Sequence, residues 1–89
     1  SAQPFSLGQN YPQPFYQITT IPYDLSEPSK VQLSVYSTSG QKIETLVSEF
    51  QRSGHYEVTW DARSLVAGTY LYKLETEKFS ETKKALLVK

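Results

Sequence analysis

The residues of this chain that could do acid–base chemistry are few and lie close together. His55 is the only histidine, and Glu57 and Thr59 follow it at intervals of two. In a strand that spacing puts all three side chains on one face. A base, a carboxylate to orient it and a hydroxyl nucleophile would then share a surface, as a hydrolytic site requires. The same spacing arises by chance on any polar strand face, and a solvated histidine is its commoner meaning. Asp61 is a second candidate, yet an aspartate closing a strand more often caps a turn. Glu44, Glu49, Glu75, Glu77 and Glu81 are scattered over turns and outward positions. They form no calcium loop, and no glycine pattern suggests a phosphate cradle. Cysteine is absent, which removes disulfides, zinc–thiolate sites and thiol nucleophiles together. The expectation is a domain that is not an enzyme, with no metal and no cofactor.

Recognition chemistry is better represented. Seven tyrosines and one tryptophan raise the prospect of stacking on sugars. Alternation assigns Tyr56, Trp60, Tyr70 and Tyr72 to a core, which leaves Tyr36 as the one outward strand aromatic. Lys83, Lys84 and Lys89 make the C-terminal strand basic. Lysines there either protect a sheet edge from unwanted pairing or address an acidic or strand-accepting partner. Nine basic residues balance nine acidic ones, so no overall field favours nucleic acid or an anionic membrane. No stretch approaches the ~18 apolar residues of a membrane span. No secretory leader opens the chain, which starts at Ser1 without methionine and reads as an excised or processed piece of a longer protein.

These side chains need a scaffold, and period-two patterning supplies one. Tyr56, Val58 and Trp60 share one face of the run from Gly54 to Asp61. Tyr70, Tyr72 and Leu74 share one face of the run from Gly68. Val31, Leu33 and Val35 alternate in the same way. Ile18, Ile21, Tyr23 and Leu25 mark another strand, with Pro22 confining it to an edge or a bulge. Gln41 to Val47 breaks its alternation near Thr45, as a β-bulge would. Ser48 to Ser53 reads as a polar loop, and Thr82 to Lys89 as the last strand. Gly40 supplies the positive φ of a hairpin turn. Residues 1–8 read as a flexible N-terminal tether and 9–89 as the domain, with Tyr11 and Phe15 docking on its body. Six to seven short antiparallel strands at this spacing predict an all-β, immunoglobulin-like sandwich. Its marks would be Trp60 as the central indole, Tyr70 as a corner tyrosine and Tyr72 where such domains place a cysteine.

Six short motifs occur in one order: Asn10-Tyr11-Pro12-Gln13-Pro14-Phe15, Thr19 to Leu25, Val31 to Tyr36 with Gly40, Gly54-His55-Tyr56 through Trp60-Asp61, Gly68-Thr69-Tyr70, and Lys83-Lys84-Ala85-Leu86-Leu87. Together they resemble the type A C-terminal sorting domain of the type IX secretion system of Bacteroidetes-type bacteria. The resemblance implies a transport address fused behind a secreted enzyme or adhesin. The passenger would travel via the periplasm through the outer membrane, to be attached at the cell surface or released. It implies the secretion machinery and a surface sortase-like peptidase as partners, with Gly68, Tyr70, Lys83, Lys84 and Lys89 in recognition and Pro12 and Pro14 in the N-terminal motif. The chain departs from the family at turns: Tyr16-Gln17 stand where Asn-Pro is usual, and Ala62 where Gly is. The alternative reading is a carbohydrate-binding or accessory β-sandwich of a secreted glycoside hydrolase.

Overall fold

A computed structural model describes residues 5–89. It contains seven strands: β1 (Ser6–Leu7), β2 (Ile18–Leu25), β3 (Ser29–Ser37), β4 (Lys42–Gln51), β5 (Gly54–Asp61), β6 (Gly68–Glu75) and β7 (Ser80–Leu87). They form two antiparallel sheets, one in the order β1-β2-β5 and the other in the order β4-β3-β6-β7. The sheets face each other as a sandwich, and the alternating residues read from the sequence fill the space between them. Ile21, Tyr23, Val31, Leu33, Val35, Trp60, Tyr72 and Leu74 have no exposed surface. Trp60 is central. Its ring meets Phe15 at 5.2 Å and Tyr70 edge-on at 5.9 Å, separations at which aromatic pairs add to burial energy. Its Nε1 has no hydrogen-bond partner among the described residues. Tyr70 makes the expected corner, its hydroxyl donating to the Val66 carbonyl at 2.5 Å.

Three elements differ from the sequence reading, each for a local reason. The polar segment Ser48–Gln51 extends β4, pairing with Gln32, Val31, Lys30 and Ser29. An edge strand with little buried surface needs no apolar alternation, so its period is silent. The predicted irregularity near Thr45 is present, as register shifts that leave Leu46 and Ile43 as the extra residues of β4. In β2 the buried phase is Thr19, Ile21, Tyr23 and Leu25, while Ile18 is 44% exposed.

Pro22 is the second departure, since it occupies the middle strand of its sheet. The Pro22 carbonyl accepts from Gly8 N–H at 2.9 Å, so the missing N–H also points towards Gly8. The Gly8 carbonyl on that side is taken by the Tyr72 hydroxyl at 2.8 Å. No ladder bond is therefore lost. Gly8 is required by proximity, because a Cβ there would lie 2.8 Å from Pro22 Cγ.

The N-terminal segment is the third. Ser6 and Leu7 pair with Asp24 and Tyr23, and Leu7 is buried. Phe5 stacks on Phe79 in the β6–β7 turn at 5.6 Å. From residue 5 onward, then, the expected tether is part of the sandwich. The rest of that expectation, residues 1–4, lies outside the described residues.

Candidate functional site

Between β1 and β2 the chain forms an arm, residues 9–17, that crosses from one sheet to the other. Both of its X–Pro bonds, Tyr11–Pro12 and Gln13–Pro14, are cis. Tyr11 exchanges backbone hydrogen bonds with Thr20 at 2.9 Å each, while its ring is 47% exposed. Tyr11 thus docks through its backbone, with its ring on the solvent side. Phe15, by contrast, is completely buried.

Beyond Tyr11 the arm lies along β7, the edge strand of the larger sheet. Phe15 N–H donates to the Leu86 carbonyl at 3.0 Å, and Val88 N–H donates to the Phe15 carbonyl at 2.8 Å, a parallel bridge. Two glutamine side chains extend the contact. Gln9 Nε2 donates to the Lys84 carbonyl at 2.8 Å, and Leu86 N–H donates to Gln13 Oε1 at 3.0 Å. An edge strand normally presents a row of unpaired backbone groups. Here the row from Lys84 to Val88 is covered by the chain's own arm.

Asn10 anchors the arm from below and is 99% buried in a fully polar role. Its N–H donates to the Tyr72 hydroxyl at 2.8 Å, and its Nδ2 donates to Thr19 Oγ1 at 3.0 Å. Thr19 in turn donates to the Pro12 carbonyl at 3.0 Å, and Gln9 Nε2 donates to Asn10 Oδ1 at 2.6 Å. Buried polar groups persist only when satisfied, and this network satisfies them. In the sequence Asn10 stands out only as part of the motif from Asn10 to Phe15. The available signal was Thr19, a polar residue in phase with Ile21, Tyr23 and Leu25.

The three lysines of the C-terminal segment point in three directions. Lys83 lies in phase with the buried Ala85 and Leu87, at the margin of the sandwich, and pairs with Glu81 at 3.5 Å. Lys84 projects from the outer face, opposite Leu71 of β6. Lys89 lies past the end of β7, where it lines a cleft of about 390 Å³ with Tyr16, Gln17, Arg63 and Val88. Gly68 pairs with Leu87 at the same end. Its φ of +152° favours glycine, and a Cβ would meet nothing within 4 Å. The conformation alone accounts for that glycine. Pro12 and Pro14 are exposed on the arm beside β7, Lys84 stands on the outer face, and Gly68 shares the inward phase of the sheet with Lys83.

The candidate catalytic face resolves differently. His55 Nδ1 lies 2.8 Å from Asp24 Oδ1 and Nε2 lies 3.2 Å from Glu57 Oε2. Both ring nitrogens are therefore committed to carboxylates. Thr59, four residues along the strand, is roughly 13 Å away. Ser6 Oγ donates to Asp24 Oδ2 at 2.9 Å, and the Tyr11 hydroxyl beside Glu57 is pushed up by that carboxylate. The group ties β1, β2, β5 and the arm together on the solvent side. Hydrogen bonds to Asp24 and then Glu57 hold the His55 pKa above 6.5, and the same bonds hold both carboxyls below their ordinary values. The sign follows: the imidazolium contribution is complete below pH 6.5 and fades as pH rises through the higher folded value. An NMR titration of His55 is expected to give a midpoint above 6.5, and Asp24→Asn should return it towards 6.5. A wild-type midpoint at or below 6.5 would contradict the clasp.

Tyr36 is half-buried, and the Lys42 ammonium stands 6.0 Å above its ring. The face a sugar would use is already shared with a cation. Among the described residues no group of three or more His, Asp or Glu is placed to hold a metal.

A family model described as the secretion system C-terminal sorting domain matches residues 9–89 of this chain. No curated protein and no solved structure matches it.

Proposed function

Because this chain belongs to the secretion system C-terminal sorting domain family, we propose that its address is read as a folded surface, in which the N-terminal arm and β7 are presented together. The domain is a C-terminal sorting signal for type IX secretion, and it marks its protein for passage across the outer membrane to the cell surface or for release. Such a signal is not itself catalytic. It engages the type IX machinery and is fused to an upstream passenger.

The observation that carries the proposal is the covered edge of β7. A partner that added a strand there would have to displace Phe15, which is buried against Trp60. Recognition instead falls to side chains that the latch holds in place. We assign Lys84, Lys89, Gly68, Pro12 and Pro14 to that surface, with Tyr70 holding the corner beneath it. Lys83 acts at the sandwich margin through its pair with Glu81. A surface sortase-like peptidase is the second partner, and its cut does not fall within β1, where Ser6 and Leu7 are paired with Asp24 and Tyr23, since paired strand is a poor peptidase substrate.

A reporter fused ahead of residues 5–89 in a type IX-competent host is expected at the cell surface, while the reporter alone stays in the periplasm. Replacing Lys84 and Lys89 together by alanine should lower surface reporter severalfold with the fold intact. Periplasmic retention of the wild-type fusion would defeat the sorting reading. Undiminished export of the double variant would defeat only the residue assignment.

A further inference from the structure

The outer face of the four-stranded sheet carries a charge pattern that its ladder makes plain. On one rung stand Lys42 of β4, Tyr36 of β3, Leu71 of β6 and Lys84 of β7, each paired with the next. The adjoining rung runs Thr45, Ser34, Lys73 and Thr82, and Thr69 pairs with Leu86 on the other side. Lys30 lies on the same face, two rungs beyond Ser34. Against Lys30, Lys42, Lys73 and Lys84 the face sets one carboxylate, Glu75, which is 3.7 Å from Lys73. Its centre is apolar: Tyr36 and Leu71 are half-buried and Leu86 is 38% exposed. On the outer face of the other sheet Asp24 and Glu57 flank His55, and Asp61 lies at the far end of β5, paired with Arg63.

We propose that the outer face of the four-stranded sheet docks on a carboxylate-bearing protein surface of the secretion machinery. The proposal rests on the sorting reading and adds to it the face and the chemistry of the partner. An apolar centre rimmed by charge is the anatomy of a protein interface. Four strands about 4.8 Å apart make that face about 15 Å wide. Lys30, Lys42 and Lys84 stand around its rim and Lys73 lies beside Leu71 on the interior strand β6, so an acidic surface would be steered on by the cations and held by contact with Tyr36, Leu71 and Leu86. The covered edge of β7 supports the same approach, since Lys84 and Leu86 are offered sideways from the face while their backbone on the edge side is occupied.

The test uses the passenger fusion in a competent host, with Lys42→Glu/Lys84→Glu set against Arg52→Glu/Lys78→Glu, a pair of equal charge change away from the face. The first pair is expected to cut surface reporter at least tenfold and the second to leave it near wild type. Purified variants are compared by thermal melting and amide NMR spectra. If the glutamate pair fails to fold, Lys42→Gln/Lys84→Gln is read in its place, with the same direction expected. Wild-type export with no loss in the face variant overturns the proposal and leaves sorting standing. No export of the wild type overturns both. Equal loss in both pairs would mean net charge, not this face, and overturns the proposal. Binding of the purified chain to anionic but not zwitterionic phospholipid vesicles, abolished by the face variant, would give the face to a lipid. A concentration-dependent dimer abolished by the same variant would give it to a second copy. Either result overturns a docking partner in the machinery.

Discussion

Phe15→Ala is expected to destabilise the domain by about 3–5 kcal/mol, the usual cost of emptying a fully buried aromatic site. Small domains have about 5–15 kcal/mol in all, so the melting temperature should fall by roughly 12 °C or more. The ring has no exposed surface and packs on Trp60, and its own backbone bridges to Leu86 and Val88. Losing the ring therefore loosens the strap along β7 as well as the core. Hydrogen exchange at the Val88 amide should accelerate more than exchange in β3, whose bonds lie inside the sheet. A loss below 1 kcal/mol would show that the arm stands outside the cooperative unit.

Tyr72→Phe should have the next largest effect, although it removes one oxygen atom. That hydroxyl donates to the Gly8 carbonyl and accepts from Asn10 N–H, both at 2.8 Å. Without it, two backbone groups in a buried setting lose their partner. Each unsatisfied group costs about 1–3 kcal/mol, and because the Gly8 carbonyl is only partly buried the lower part of the summed range, about 2–4 kcal/mol, is expected in urea melts. Tyr70→Phe removes a single bond at a half-open corner and should cost about 1 kcal/mol. Equal effects in the two variants would mean that the Gly8–Tyr72–Asn10 relay contributes nothing special. Burial pushes the Tyr72 phenol up to about 12. The folded state favours the neutral hydroxyl. Its contribution is therefore complete below about pH 10 and is lost as pH rises from there through about 12.

The strands that were legible in the sequence are those with one buried face. Val31, Leu33 and Val35, or Tyr70, Tyr72 and Leu74, alternate because the pleat has period two, and the sandwich followed from them. Tyr70 and Trp60 could be placed by type as well as by phase. What escaped has no period. Ser48 to Gln51 pair at an edge where side chains are free to be polar. Gln9 and Gln13 hydrogen-bond distant backbone through their side-chain amides and Asn10 donates its N–H to the Tyr72 hydroxyl, and no local pattern encodes a contact across more than sixty residues. Pro22 points to an edge or a bulge because a missing donor is usually costly. Here the neighbouring Gly8 carbonyl has another donor, Tyr72, 64 residues away. The divergence of Lys83 and Lys84 was implicit in their adjacency: neighbours on a strand face opposite ways, so they could not form one patch.

The parallel bridge between Phe15 and Leu87 also sets a schedule. A chain delivered from its N-terminus exposes Phe15 about seventy residues before the strand that receives it exists, which at roughly 5–20 residues per second is several seconds of waiting. During that interval the ring, the Asn10 amide and the two glutamines have no edge to cover. The last element made closes the first one that was left open. A product that stops short of β7 then shows an uncovered aromatic arm, and only a full-length one hides it, so the domain carries a proof of its own completion.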